Sequence, residues 1–568
     1  MARNLLAAGL HAPVDVTPVD VYDTTLRDGT QREGISLTVA DKLRVAAEID
    51  SLGVSYIEGG WPGANPKDTE FFRRVAAGEL QLRRAVLTAF GMTRRPGGAA
   101  GNDPTLAALL EAATPVVCLV GKSDILHVTE ALGTTAEENL AMVADSVRLL
   151  RREGRRVFFD AEHFFDGHAR DPSYALEVLA AAAGAGAECV VLCDTNGGAL
   201  PDRVEAVVRE VVGVLGDTQV GVHVHNDTDC AVANSLVAVH GGATHVQGTV
   251  NGIGERCGNA NLMSIIPNLK VKLGMDVVGD DDLRRLSHVA HAVAEVMNTT
   301  PDPHAPYVGH AAFAHKAGLH VSALAKREDL YQHVEPARVG NVLRLLVSEL
   351  AGRSTVVLKG RDFGLDLTAD GDAVNRILGR VKELEHAGYA FEAADASFEL
   401  LVRSEMGEDV HAFTLESFRI IVERREDGRM VAEATIKLWV PGEGDAGGRG
   451  YRGEGVAGGD AGGRGYRGER LIGTGEGNGP VDALDQAFRA AVNGRFPGLA
   501  KLHLADYKAR ILDSDSGTAA TTRVLIRSSN GEREWDTVGV SANVIEASWL
   551  AMADAYTYGL REQQDADA

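Results

Sequence analysis

At 568 residues the chain exceeds one ordinary hydrophobic core, and its length predicts roughly two to four domains. Its composition, 45% hydrophobic and 24% charged, is that of a globular protein, and a net charge of −23 excludes nucleic acid as the main partner, because phosphate binding needs a basic footprint. No apolar run approaches the ~20 residues that span a bilayer, and the N-terminal apolar stretch is too short for a secretory signal, so a cytoplasmic protein with no membrane partner is expected.

Along the first ~270 residues, short apolar β-branched runs alternate with Ala/Leu-rich helical segments. The runs are "VDVYDTTLRDG" (19–29), "SYIEGGWP" (55–62), "RAVLTAFG" (84–91), "PVVCLVGKS" (115–123), "RVFFDAEHFFDG" (156–167), "CVVLCDTNGG" (189–198), "VGVHVHND" (220–227) and "THVQGTVNGIGER" (244–256). Near-continuous apolar strands between helices predict a parallel sheet covered on both faces. Eight such units predict an α/β fold, a closed (β/α)8 TIM barrel spanning 1–275. A doubly wound open sheet is the runner-up, but no GxGxxG follows the first run.

Residues 276–395 read as a mostly helical linker subdomain carrying the polar insert 306–336. From 396 to 568 a period-2 hairpin, a helix after a Gly-rich turn, further strands and a terminal helix predict a small α+β domain. Within it the string "GDAGGRGYRGE" occurs twice, at 444–454 and 459–469, and about 442–470 reads as a flexible duplicated surface loop. Its RGG-like look is outweighed by the acidity of the chain. The five cysteines (118, 189, 193, 230 and 257) include no CxxC pair and are expected reduced.

The polar residues of the first region collect at one end of the runs. Asp23, Arg27 and Asp28 follow the first; Glu58 lies on the second; Glu162 and His163 end the fifth; Asp194, Thr195 and Asn196 end the sixth. His223, His225, Asn226 and Asp227 end the seventh, and Asn251, Glu255, Arg256 and Asn259 follow the eighth. Strand C-termini build the active site of barrel enzymes. Side chains two apart on a strand share a face, so His223 and His225 project together. Alone, an HxH fits either a polar strand face or a pair of metal ligands; within this rim it fits ligands.

"DTTLRDGTQ" (23–31), "HVHND" (223–227) and "GIGERCGNANL" (252–262), in this order, resemble the 2-isopropylmalate synthase / homocitrate synthase / citramalate synthase family. "GKSDILHVTEALGTTAEENLAM", "FAHKAGLHVSALAK" and the C-terminal segment are most similar to the citramalate synthase branch, and only about 440–472 lies outside the match. The resemblance implies a metal-dependent acyltransferase that condenses acetyl-CoA with a 2-oxo acid, pyruvate above others, on the route to isoleucine. It implies Asp28, His223, His225 and Asn259 as ligands of a divalent ion (Mn, Zn, Mg or Co), Arg27 as the group stabilising the alkoxide, and Glu162 with His320, assisted by Tyr331, as the base. Thr195 would hold the substrate carboxylate, with a turn or N-cap role as its other reading; Gln31 and His127 are further substrate contacts, and His315 is structural. It further implies a homodimer whose site is shared across subunits and an isoleucine effector at the C-terminal regulatory domain. Ser322, two positions after His320, departs from the acidic residue the branch carries there. Related readings are another oxo acid (2-isopropylmalate or homocitrate synthase) and a metal-dependent lyase or aldolase. Against the lyase stand "GERCGNAN" and the long C-terminal domain.

Overall fold

A computed structural model describes residues 18–441, 468–513 and 520–567; the repeated string up to Arg467 lies outside them. Two compact units form, one of residues up to Phe313 together with Gln332–Leu343, the other of Ala314–Tyr331 together with Arg344 onward.

The first unit is a closed barrel of eight parallel strands in sequence order: β1 (Asp20–Asp23), β2 (Tyr56–Gly60), β3 (Val86–Met92), β4 (Val116–Lys122), β5 (Arg156–Glu162), β6 (Cys189–Asp194), β7 (Gln219–Val224) and β8 (His245–Gly248). Each of the eight runs supplies one strand. β1 and β8 close the ring in the register Asp20–His245 through Asp23–Gly248.

The helices between strands begin where their sequences say they should. Thr38 opens Val39–Asp50 with a capping box, accepting from the Asp41 N–H while the Asp41 carboxylate accepts from its own. Asn65, Asp103 and Asp171 each cap a helix whose first residue is proline, which needs no N–H partner there. Between strands and helices lies one apolar layer, with Phe71, Phe159, Phe164 and Val190 fully buried. Inside the barrel a second cluster (Tyr22, Tyr56, Phe158, Cys118, Val191) fills the lower lumen, so the barrel is a packed core with one open end.

The segment read as mostly helical is less so. Leu286–Val296 packs on the barrel helix Val39–Asp50, and Gly318–Leu324, Arg353–Asp362 and Gly371–His386 are helices, but the Gly-, Pro- and His-rich stretches between the first three are turns, single 3-10 turns and a short parallel pair of Ala314–His315 with Arg344–Leu345. The C-terminal region holds two successive βββα repeats. Strands Thr414–Arg424, Met430–Val440 and Glu469–Gly477 precede helix Pro480–Val492; His503–Ile511, Thr522–Ser529 and Glu534–Ser541 precede helix Val544–Asp567. Each sheet is antiparallel in sequence order. Glu469 and Arg470, assigned to the loop by composition, already belong to a strand. Gly475 lies under helix Pro480–Val492, and a Cβ there would collide with the backbone nitrogen of Ala487. Among the described residues no helix is long and apolar enough to cross a membrane.

Candidate active site

The loop after β1 is braced before it reaches the rim. Asp23, fully buried, accepts hydrogen bonds from the Thr25 backbone (2.9 Å) and hydroxyl (2.8 Å), and the same hydroxyl accepts from the Val250 N–H (2.9 Å). The Thr24 hydroxyl donates to the Gly248 carbonyl. "DTT" therefore ties β1 to the loop after β8 and aims the next polar pair, Arg27 and Asp28, into the mouth.

Asp28 meets both histidines there. Its Oδ2 lies 3.1 Å from His223 Nε2 and 3.7 Å from His225 Nε2, and all three groups are buried. His223 is on β7; His225 lies just past the strand's end, held by an isolated bridge to Asn259 and by its N–H on the Asp194 carbonyl. Asn259 is carried by the "GIGERCGN" loop, which folds tightly at Gly258: φ is +95° and a Cβ would collide with the Gly252 carbonyl. The Asn259 amide donates to the Ile253 carbonyl, leaving its Oδ1 buried with no hydrogen-bond partner.

Such an orphaned oxygen, on a residue bridged to His225, is costly unless a cation takes its lone pair. The donors fit a divalent ion: oxygen and nitrogen ligands of intermediate softness, with positions left open. The protonation of Asp28 and His225 fits as well. Burial pushes the Asp28 carboxyl up, but Arg27 and His223 outweigh burial and hold it well below the usual carboxylate range. His225 is pushed down to about 4, by burial first and then by His223, so its ring is neutral near pH 7.

Arg27 is fixed on three sides. Its Nε donates to Glu58 Oε2 at 2.7 Å, its guanidinium lies 3.8 Å over the Phe90 ring, and Nη1 is 3.6 Å from Asp28 Oδ2. Glu58, on β2 and completely buried, also accepts from the Tyr22 hydroxyl at 3.0 Å. Burial raises the Glu58 carboxyl, and Arg27 opposes it.

Glu162, the last residue of β5, pairs with Lys122, the last residue of β4. His163 follows in a left-handed conformation (φ 60°), and its ring stacks on His127 at 3.8 Å. The His163 N–H donates to Thr195 Oγ1 at 2.9 Å. With that lone pair used, the hydroxyl proton of Thr195 is free to donate elsewhere. Thr195 caps no helix; the next one begins at Pro201.

These groups share one cavity of about 360 Å3 at the barrel mouth. Arg27, Asp28, Gln31, Glu162, Thr195, His223 and His225 line it, with Trp61, Phe90 and Met92 as an apolar wall. Asn259 is bridged to His225 but lines the neighbouring cavity with Gly252 and Gly258, and the His127 ring stacks on that of His163. His320 and Tyr331 belong to the second unit, where their rings stack at 4.2 Å, with His315 edge-on to His320 at 6.4 Å.

The sequence reading passed over Lys122, the hold of Glu58 on Arg27, and two buried residues behind His223. The Gln247 Oε1 lies 2.8 Å from His223 Nδ1, and its Nε2 donates to Asp160 Oδ1 at 3.0 Å. Their signal was present but mute: each is a polar residue inside an otherwise apolar strand.

Three family models match the chain: "HMGL-like" over 18–293, "Homocitrate synthase post-HMGL domain-like" over 307–388 and "LeuA allosteric (dimerisation) domain" over 392–560. A curated (R)-citramalate synthase of Streptomyces coelicolor is 54% identical over 93% of this chain and 94% of its own. Those of Synechocystis sp. (48%, covering 94% of each chain) and Aquifex aeolicus (47%, covering 94% of this chain and 96% of its own) are similar throughout. The chain belongs to the (R)-citramalate synthase family, acyltransferases built on an HMGL-like barrel.

Proposed function

We propose that the chain condenses acetyl-CoA with pyruvate and hydrolyses the product to (R)-citramalate and CoA. The observation that carries this reading is a single cavity in which a carboxylate and two imidazoles converge beside a fixed arginine and a rim carboxylate, with the orphaned amide oxygen of Asn259 on a residue bridged to His225. Asp28, His223, His225 and Asn259 would hold a divalent ion (Mn, Zn, Mg or Co), which when bound supplies Lewis acidity toward the ketone of a 2-oxo acid. Arg27, held by Glu58, is placed to stabilise the negative charge that develops on the ketone oxygen. Thr195, its lone pair taken by His163, donates its proton to the substrate carboxylate, and Gln31 lines the same wall.

The base takes a proton from the acetyl-CoA methyl; that carbon forms the new bond to the ketone carbon, whose oxygen accepts the electron pair and is then protonated. Water cleaves the thioester, releasing CoA and the dicarboxylate. Glu162 and His320 with Tyr331 are assigned to the first step, Lys122 keeping Glu162 beside a positive charge. Because these residues come from two units, and the chain carries a LeuA dimerisation domain, the proposal includes a homodimer in which His320 completes the partner's barrel. The C-terminal domain has a cavity of about 330 Å3 between its helices, lined by Asp485, Arg489, His503 and Tyr556, and is assigned to an isoleucine effector.

The test is CoA release from acetyl-CoA with pyruvate, 2-oxobutyrate, 2-oxoisovalerate and 2-oxoglutarate, after chelation and with metal restored. Metal-dependent turnover on pyruvate, lost in Asp28→Ala, is expected. Preference for 2-oxoisovalerate would keep the chemistry and change the substrate, whereas no turnover on all four would overturn the reading.

A further inference from the structure

We infer that Gln247 and Asp160 act as a buried relay that fixes the tautomer of His223, making them positioning residues for the ion; the inference rests on the metal reading above. An imidazole can ligate only through a nitrogen that carries no proton, so the partner of the other nitrogen decides whether it is a ligand at all. In His223, Nε2 faces Asp28 and Nδ1 faces the Gln247 side chain at 2.8 Å. A glutamine amide offers an acceptor at one end and donors at the other, and its orientation follows from its second partner.

That partner is Asp160, whose Oδ1 is 3.0 Å from the amide nitrogen. A carboxylate only accepts, so the NH2 end must face Asp160 and the oxygen must face His223. Nδ1 therefore carries a proton, and Nε2, 3.1 Å from Asp28 Oδ2, is the nitrogen left for an ion. Burial raises the Asp160 carboxyl, and hydrogen bonds from Gln247 and the Cys118 thiol oppose that shift, as they do for an accepting carboxylate. The chain of contacts runs from β7 to β8 and across the lumen to β5 and β4. Gln247 reaches His223 because β7 and β8 pair at Val222 and Val246, one residue earlier on each strand.

His225 supplies the contrast within the same site. Its Nδ1 is buried with no hydrogen-bond partner, so nothing of this kind selects its tautomer. His223 is thus the imidazole whose Nδ1 is committed to a protein acceptor, so that Nε2 is the nitrogen left to ligate once an ion replaces its contact with Asp28. Reversal of the amide would put a proton on Nε2 and remove one of the four donors.

The experiment measures Co2+ affinity of the chelator-treated full chain by competition with a chromophoric chelator. Four forms are compared: wild type, Gln247→Met, Asp160→Asn, and the double exchange Gln247→Glu with Asp160→Asn. The last conserves volume and charge and keeps an acceptor facing Nδ1, since the amide introduced on β5 holds the other oxygen of the carboxylate introduced on β8. Gln247→Met is expected to bind Co2+ about 10- to 100-fold more weakly, Asp160→Asn to be weakened as well, and the double exchange to return to within about threefold of wild type. A merely structural role would not be rescued by the exchange. Wild-type affinity in Gln247→Met, or a double exchange as weak as Gln247→Met, overturns the relay and leaves the metal site standing. Absence of Co2+ binding by the wild type overturns the metal reading, and the relay with it.

Discussion

Replacing Glu58 by glutamine removes one charge and no volume, and it isolates what that carboxylate does for Arg27. The Arg27 side chain is 13% exposed and Glu58 is not exposed at all, so the pair lies where loss of one partner leaves a buried charge uncompensated, typically about 3–5 kcal/mol. Asp28, 3.6 Å from Arg27 Nη1, remains as a second anion, and the glutamine oxygen still accepts from Nε. The low end, about 3 kcal/mol, is therefore expected for the barrel transition in calorimetry. Catalysis should suffer separately. A charge-assisted hydrogen bond worth about 1.5–3 kcal/mol holds Arg27 in place, and at about 1.4 kcal/mol per decade its loss predicts a roughly 10- to 100-fold fall in kcat on pyruvate. Asp28 would then draw Arg27 toward itself, so the metal affinity should change as well. If Glu58→Gln melts within about 0.5 kcal/mol of wild type and keeps its kcat, the claim that Glu58 positions Arg27 is wrong.

Three further outcomes can be checked with standard measurements. Burial pushes the Asp554 carboxyl, which accepts from the Ser397 hydroxyl at 2.6 Å, up to about 7. With the folded value above the unfolded one, the stability it contributes is complete below about pH 4 and is lost as pH rises through 7. Asp554→Asn should therefore flatten the pH dependence of the C-terminal transition, gaining on the order of 3 kcal/mol over wild type between pH 5 and pH 8; parallel melting curves would refute this. Mixing Asp28→Ala with His320→Ala subunits, each inactive alone, should restore CoA release if the two residues act across a dimer, and no recovery after subunit exchange would place His320 in cis. Gly475→Ala should cost about 1–3 kcal/mol in the C-terminal domain by pushing a methyl into the backbone at Ala487, read as a lower melting temperature.

How much of this was legible beforehand depended on what kind of neighbour a residue has. Strands announce themselves by local apolar content, and all eight barrel strands did, from the "VDVYD" run to "HVQG". The cluster of Asp28, His223 and His225 was legible because these residues lie in short motifs whose chemistry is unusual for a core. Glu58, Lys122, Gln247 and Asp160 were not, because each acquires its role from a side chain on another strand, and no periodicity within one segment records that pairing. The position of His225 beyond the strand end is set by its bridge to Asn259, again a nonlocal fact. The βββα duplication escaped notice because its two copies share a pattern of alternation and a helix, not a string. Between 297 and 352 the error ran the other way: a mostly helical segment was expected, but only Gly318–Leu324 is an α-helix there, and the rest is turns, single 3-10 turns and one short strand pair.

The closure of the barrel has a consequence for how the molecule comes apart. β1 and β8 have four residues each, the shortest strands of the ring, and they form the joint where the first and last parts of the barrel sequence meet. Asp28 follows β1, His223 is on β7, His225 follows β7 and Asn259 follows β8, so the four donors straddle that joint. An ion held by all four would be a clasp across that joint, fastening segments separated by nearly the whole barrel sequence. Its release would remove a link between the two ends of the ring, and loading would lengthen the lifetime of the closed barrel more than it changes the shape of any strand.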